Sequence, residues 1–291
     1  MFQRHSALFL PAIFVVFFSC GRESGKTAKT YYNTAPKNDM LPVPAGYFYR
    51  GSEKGEVDEK PVRKIWLDSF YIDRFPVTNA QYAEYLEQTN AKKPLYLNDN
   101  TCNSPGQPVV GISWKGALDY CRWRSERDSA TYTLPTEAQW EKAARGEDKR
   151  TYPWGNQPPN DKRAPTKISE KMPAVGLCDL GHSPYGVADM VGNVWNWCLD
   201  WYNKDYYQSA PERNPAGPEH GRRKVVRGGN WIFLGCCSGT PAYALRTTRR
   251  NAFHPHLRKK SIGFRCVRLL TPPTENGDAS VDSTPELRVE E

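Results

Sequence analysis

Cysteine has the widest chemical reach of any residue type in this chain. There are eight: Cys20, Cys102, Cys121, Cys178, Cys198, Cys236, Cys237 and Cys266. A thiolate serves as a nucleophile, a soft-metal ligand or half of a disulfide. No Cys-x-x-Cys pair or His-rich partner cluster occurs, so a structural zinc site is not expected. The vicinal pair Cys236-Cys237 is the catalytic candidate. Neighbouring side chains diverge along a backbone, so a linear two-sulfur clamp from this pair would demand strain. Two readings stay open. One of the two bridges Cys198 while the other is free or pairs with Cys102 or Cys178; or one is a reactive thiol whose thiolate fraction is raised by nearby Arg.

A second concentration of chemistry is basic. Arg246, Arg249, Arg250, Arg258, Lys259 and Lys260 crowd one segment together with His254 and His256. His254-Pro255-His256 reads as a metal-binding loop or as a solvated turn. Arg246, Arg249 and Arg250 are the partner-binding candidates, with a solvated charged loop as the alternative.

The N-terminus suggests where such groups work. Arg4 and His5 precede an apolar run from Leu8 to Phe18, broken only by Pro11. That run is too short to span a bilayer comfortably and reads as a signal-peptide core. It ends in Phe17-Phe18-Ser19-Cys20-Gly21, which resembles a bacterial lipobox with Cys20 as the lipidated residue; an ordinary cleaved signal is the alternative. The expected location is the bacterial cell envelope, lipid-anchored, periplasmic or surface-exposed. With Cys20 lipidated, the other cysteines are odd in number, so at least one is free, reactive or intermolecular. For an exported chain with net charge +8, the basic segment suits an anionic glycan, peptidoglycan, lipid head groups or an acidic protein rather than nucleic acid.

These residues need elements to position them. Residues 1–20 read as signal, 21–39 as a polar tether, 40–270 as one folded domain and 271–291 as an acidic, disordered tail. Twenty-four Pro and 22 Gly forecast short elements and much loop, above all between 147 and 185. Mean hydropathy of −0.72 excludes a polytopic membrane protein. Thr78 with Gln81 and Thr136 with Gln139 form capping boxes, and Ser113 caps a third helix. Their buried faces carry Tyr82, Tyr85 and Leu86; Trp140, Ala143 and Ala144; and Trp114, Ala117, Leu118 and Cys121. Gly146 stops the helix that begins after Thr136. Lys64 to Asp68, Val225-Val226 and Gly263 to Val267 read as short strands.

An ordered set of motifs then resembles the sulfatase-modifying-factor family, which includes the formylglycine-generating enzymes. It begins with Val43-Pro44-Ala45-Gly46, Asp58-Glu59-Lys60-Pro61 and Phe75-Pro76-Val77-Thr78-Asn79. It continues through Leu134-Pro135-Thr136-Glu137-Ala138-Gln139-Trp140-Glu141 and Tyr152-Pro153-Trp154-Gly155. It closes with Gly192-Asn193-Val194-Trp195-Asn196-Trp197, Arg227-Gly228-Gly229-Asn230-Trp231 and Gly263-Phe264-Arg265-Cys266. The resemblance implies an α+β domain with a variant C-type-lectin-like fold. It also implies a calcium site at Asp189, Gly192, Val194 and Asn196, where Asn196 replaces the family's Glu and removes one negative charge. A second calcium site has no counterpart in Ala164-Pro165-Thr166. A disulfide between Cys121 and Cys266 is implied as well, and Arg249 or Arg250 becomes a fold residue near the central cleft.

The implied chemistry breaks at the sulfurs. The oxidising members hold Cu(I) between thiolates spaced Cys-x4-Cys. Counting forward from Gly228-Gly229 places these positions at Phe233 and Ser238; counting back from Arg246 places them at Gly235 and Thr240. The expected function is therefore an envelope lipoprotein of the non-oxidase kind that binds a glycan, peptide or protein partner in the aromatic-rich cleft. One alternative is a copper-dependent oxidase that converts a sulfatase cysteine to formylglycine. Another is an iron-dependent relative acting with a partner chain.

Overall fold

The computed structural model describes residues 37, 39–165, 169–232 and 241–270. The signal segment with Cys20, the segment with Cys236 and Cys237, and the acidic tail lie outside the described residues. In chain order the elements are β1 (Met40–Val43), β2 (Gly46–Arg50), β3 (Arg63–Leu67), β4 (Phe70–Asp73), α1 (Asn79–Gln88), α2 (Trp114–Asp128), β5 (Tyr132–Thr133) and α3 (Glu137–Arg145). After a long irregular stretch come β6 (Trp195–Trp201), β7 (Lys224–Arg227), β8 (Arg250–Phe253), β9 (Ile262–Gly263) and β10 (Val267–Leu269), with single helical turns at Tyr206–Ser209 and Pro241–Ala244. No described helix is long and apolar enough to cross a membrane.

Three sheets result among the described residues. One runs β1-β4-β10-β5, one pairs β2 with β3, and one runs β8-β7-β6-β9. All pairings are antiparallel except β6 with β9.

The three helices start where their caps stand. Thr78 and Thr136 each close a reciprocal box, and Ser113 Oγ accepts from Gly116 N at 3.1 Å. Each such cap stabilises its helix by about 1 kcal/mol. Gly146 ends α3, its N–H bonded to Lys142 O. The faces of α1 and α2 meet in an aromatic cluster, where Tyr82 stacks on Tyr120 with ring centroids 5.6 Å apart and Tyr120 meets Phe264 edge-on at 5.3 Å. A second core gathers Phe48, Ile65, Phe70, Trp140 and Val225 beneath α3.

The segment from Gly263 to Val267 departs from its expected single strand. Ile262 and Gly263 pair with β6, whereas Val267 to Leu269 pair with β4. The chain changes sheets between them because Phe264 drops into the aromatic core and Arg265 turns inward to four carbonyls, those of Asp73, Arg74, Ala188 and Asp189.

From Glu147 to Asn193 the described residues hold no helix and no named strand. Loop-to-loop bonds stand in for ladders. Met172 N donates to Thr101 O at 2.8 Å, Val175 N to Gly106 O at 2.9 Å and Ala188 N to Arg74 O at 2.9 Å. Buried backbone groups must find partners, and here they find them in other loops.

Candidate functional site

Helix α3 anchors the centre of the molecule. It is buried along nearly its whole length despite carrying Glu137, Glu141, Lys142 and Arg145. Glu137 receives Arg50 Nη2 at 2.8 Å, Arg227 Nη1 at 2.8 Å, and Arg250 Nε and Nη2 at 2.7 and 3.0 Å. One turn on, Glu141 receives Arg227 Nη2 at 2.8 Å and Arg145 Nη1 at 3.0 Å. Burial works to raise the Glu137 carboxyl, but Arg250, Arg227 and Arg50 overcome it and bring the group down to about 2. Asp200 takes the opposite course. Its Oδ2 accepts the Glu137 backbone N–H at 2.7 Å and its Oδ1 has no partner. Burial, aided by the Glu137 charge, raises it to about 7.

This network corrects part of the expected partner surface. Arg250 is buried on Glu137, and Arg246 is only 9% exposed, with Glu59 taking both its Nη atoms at 3.0 and 2.7 Å. A partner cannot reach guanidiniums already enclosed by carboxylates. Arg249 remains more open, paired with exposed Glu56 at 3.3 Å. Sequence reasoning missed Glu137, Glu141, Arg50, Arg227 and Asp200 as a unit. The available signal was a pair of acids at i and i+4 beside the apolar stripe of a helix, where solvent-facing charge is out of place.

The turn from Asp189 to Asn196 lies against the end of β7. Gly192 N donates to Gly228 O at 2.7 Å, and a Cβ on Gly228 would sit 2.7 Å from Met190 O, which explains the glycine there. Asn196 is 1% exposed. Its Oδ1 accepts Arg265 Nε at 2.7 Å and Trp140 Nε1 at 3.2 Å, and its Nδ2 donates to Val194 O at 2.9 Å. Arg265 Nη2 also donates to Asp189 O at 3.0 Å. Asp189 Oδ2 accepts Gly176 N at 2.7 Å. Guanidinium and indole N–H groups only donate, so the amide oxygen must face them and the NH2 must face Val194. Calcium needs six to eight converging oxygens. Here two of the four expected ligand residues meet each other through an N–H, and a cation already occupies the neighbourhood. This donor set does not fit calcium.

The described sulfurs behave as buried groups. Cys121 and Cys266 approach to 3.4 Å as thiols, both fully enclosed. Burial pushes Cys198 and Cys266 well up and Cys178 to about 12. Cys198 and Cys102 touch no other described sulfur. His254 and His256 are exposed with rings 5.0 Å apart, and no group of three or more metal-binding side chains occurs among the described residues. Beside the start of the undescribed segment, Asn193 is buried with both amide atoms unpartnered, and so is the indole N–H of Trp231.

A second surface stands out on β2 and β3. Tyr47 and Tyr49 point outward while Phe48 and Arg50 point in. Tyr47 faces Trp66 across the pair and Tyr49 faces Lys64. Tyr47 meets Trp66 edge-on at 5.0 Å, Lys64 Nζ lies 4.3 Å from the Tyr47 ring, Lys149 Nζ 4.4 Å from Tyr49, and Arg213 5.7 Å from Trp66. Tyr47 and Tyr49 are 41% and 37% exposed and are the exposed aromatics of the described chain.

A family model described as "Sulfatase-modifying factor enzyme 1-like domain" matches residues 26–270. "Serine/threonine-protein kinase pkn1" of Chlamydia caviae is 36% identical over 250 residues, covering 79% of this chain and 38% of that protein. This chain thus spans about two fifths of that relative. "Formylglycine-generating enzyme" of Streptomyces coelicolor is 29% identical over 284 residues, covering 77% of this chain and 87% of the enzyme. The structure of PvdO from Pseudomonas aeruginosa superposes with a TM-score of 0.68 at 26% identity, covering 80% of this chain and 95% of that one. The α+β, loop-rich architecture is thus of the variant C-type-lectin-like kind shared with the formylglycine-generating enzymes.

Proposed function

This chain belongs to the sulfatase-modifying factor enzyme 1-like family, and from that premise we propose that it is a non-oxidase member: a lipid-anchored protein of the bacterial envelope that binds a glycan bearing anionic groups. The observation that carries this reading is the ring face of β2 and β3. Sugar C–H faces stack on aromatic rings, and Lys64 and Lys149 at the rim offer ammonium groups to uronate or sulfate. This reading moves the ligand from the aromatic-rich cleft expected from the sequence to a face that is open to solvent. The sequence supports the non-oxidase half of the proposal, since no Cys-x4-Cys spacing follows Gly228-Gly229. Among the described residues only Cys121 and Cys266 are in contact, and they are sealed from substrate.

Affinity electrophoresis through polygalacturonate, with uncharged dextran as control, tests the binding. The protein is retarded by the anionic chain. The Tyr47→Ala/Tyr49→Ala double variant loses about 30-fold in affinity, as removal of an aromatic anchor worth about 2 kcal/mol requires. Its melting temperature falls by only a few degrees, since the half-exposed rings lose cross-strand contacts worth about 1 kcal/mol each at most. Equal retardation of the variant, or no retardation of the native protein, ends the proposal.

A second reading is favoured by the match across most of the Streptomyces enzyme. Under it the chain oxidises a substrate cysteine with copper and O2, using Cys236 and Cys237. Mass spectrometry of a Cys-x-Pro-x-Arg peptide after incubation with Cu(I)-loaded protein separates the two. The non-oxidase reading expects no aldehyde product.

A further inference from the structure

We infer that Asn196, standing where the family resemblance implies Glu, lets the Asp189–Asn196 turn close without divalent metal, its amide joining Val194 O to the Arg265 guanidinium that the family motif shares. The inference stands independently of the ligand proposed above. A Glu at position 196, as the family resemblance implies, has two acceptor oxygens. One would take the Arg265 and Trp140 donors and the other would face Val194 O, where two oxygens repel unless a cation lies between them. Asparagine resolves this contact internally. Its Oδ1 keeps both donors at 2.7 and 3.2 Å, and its Nδ2 closes on Val194 O at 2.9 Å.

The surrounding charges agree. Arg265 is fully buried, and Arg124 is nearly so. Against these two guanidiniums stand three carboxylates, those of Asp73 and Asp128 beside Arg124 and that of Asp189. Asp73 accepts Arg124 Nη1 at 2.8 Å, and Asp189 lies on the Arg265 side of the turn. The turn already meets a buried positive group, since Arg265 Nε lies 2.7 Å from Asn196 Oδ1. A divalent cation added here would sit beside the buried Arg265 guanidinium with Asp189 as its one acidic ligand, which is unfavourable. The guanidinium also does the connecting work of a metal, since it joins Asn196 to the carbonyls of Asp73, Arg74, Ala188 and Asp189.

The test uses the full chain and calcium itself. Equilibrium dialysis with radioactive calcium should show no stoichiometric binding to the native protein, and its melting temperature should be the same in EGTA and in excess calcium. Asn196→Glu should melt lower in EGTA and recover with calcium but not magnesium. The recovery should be roughly 5–10 °C at a hundredfold excess over Kd. One calcium bound per native chain, or a calcium-specific rise in its melting temperature, overturns the inference. So does an Asn196→Glu variant that folds with native stability in EGTA. If that variant fails to fold, the native dialysis and melting results decide alone.

Discussion

Replacing Glu137 by Gln is the sharpest perturbation of this fold. The side chain keeps its size, so no cavity opens. The change removes one negative charge from a buried position that meets three guanidiniums through four bonds of 2.7–3.0 Å. It also places an NH2 donor against groups that are donors themselves. Arg50 and Arg227 are fully buried and Arg250 nearly so, and Glu141 and the Asp200 carboxyl remain nearby to offset them only in part. Breaking a buried ion pair by removing one partner costs about 3–5 kcal/mol. For a domain of this size that lowers the melting temperature by roughly 6–20 °C. Urea denaturation and thermal melts at neutral pH give the number. The pH dependence gives the cause. The Glu137 carboxyl titrates near 2 when folded, against an ordinary value of 4.5. Its stabilisation is therefore complete above about 4.5 and disappears as pH falls through about 2. The gap between native protein and Glu137→Gln should close across that window. A loss under about 1 kcal/mol at neutral pH, or a gap that does not narrow in acid, would refute the assignment of Glu137 as the anchor of the network.

Two further outcomes follow from the same geometry. Asp200, raised to about 7 from 3.8 by burial and the Glu137 charge, keeps a proton when folded that it loses when unfolded. Its contribution is full below pH 3.8 and is lost as pH rises through 7, so urea-determined stability should decline across that interval and Asp200→Asn should flatten the decline; an unchanged slope in the variant counts against it. Cys121 and Cys266, 145 residues apart in the chain with sulfurs in contact, should oxidise to a disulfide in an exporting host. The bond should add about 4–5 kcal/mol, so dithiothreitol should lower the melting temperature and unreduced peptide maps should show the crosslink; full alkylation of both thiols without reductant would exclude it.

Local chemistry made much of the molecule legible in advance. Thr78, Ser113 and Thr136 announce their helices because a cap acts within one turn. The alternation of Lys64 to Leu67 announces a half-buried strand because side-chain direction repeats every two residues. The density of Pro and Gly announces a domain built largely from loops. The collinear motifs from Val43 to Cys266 announce the family, since each marks a backbone constraint that a shared fold repeats.

What the residues do to one another across the chain was settled only by folding. Glu137 looks like part of a helix start until the fold brings Arg50, Arg227 and Arg250 to it from 87, 90 and 113 residues away. Arg250 reads as a surface cation from its basic neighbours and as a fold residue from the family resemblance, and the third sheet turns it inward onto Glu137. Asn196 reads as a weakened metal ligand, but whether its oxygen or its nitrogen faces Val194 depends on Trp140 and Arg265, which arrive from α3 and from the crossing between β9 and β10. Capping and strand alternation act over a few residues and leave their marks in order along the chain. Burial and charge compensation act through space, and no spacing in the sequence records which distant partners will share an enclosure without water.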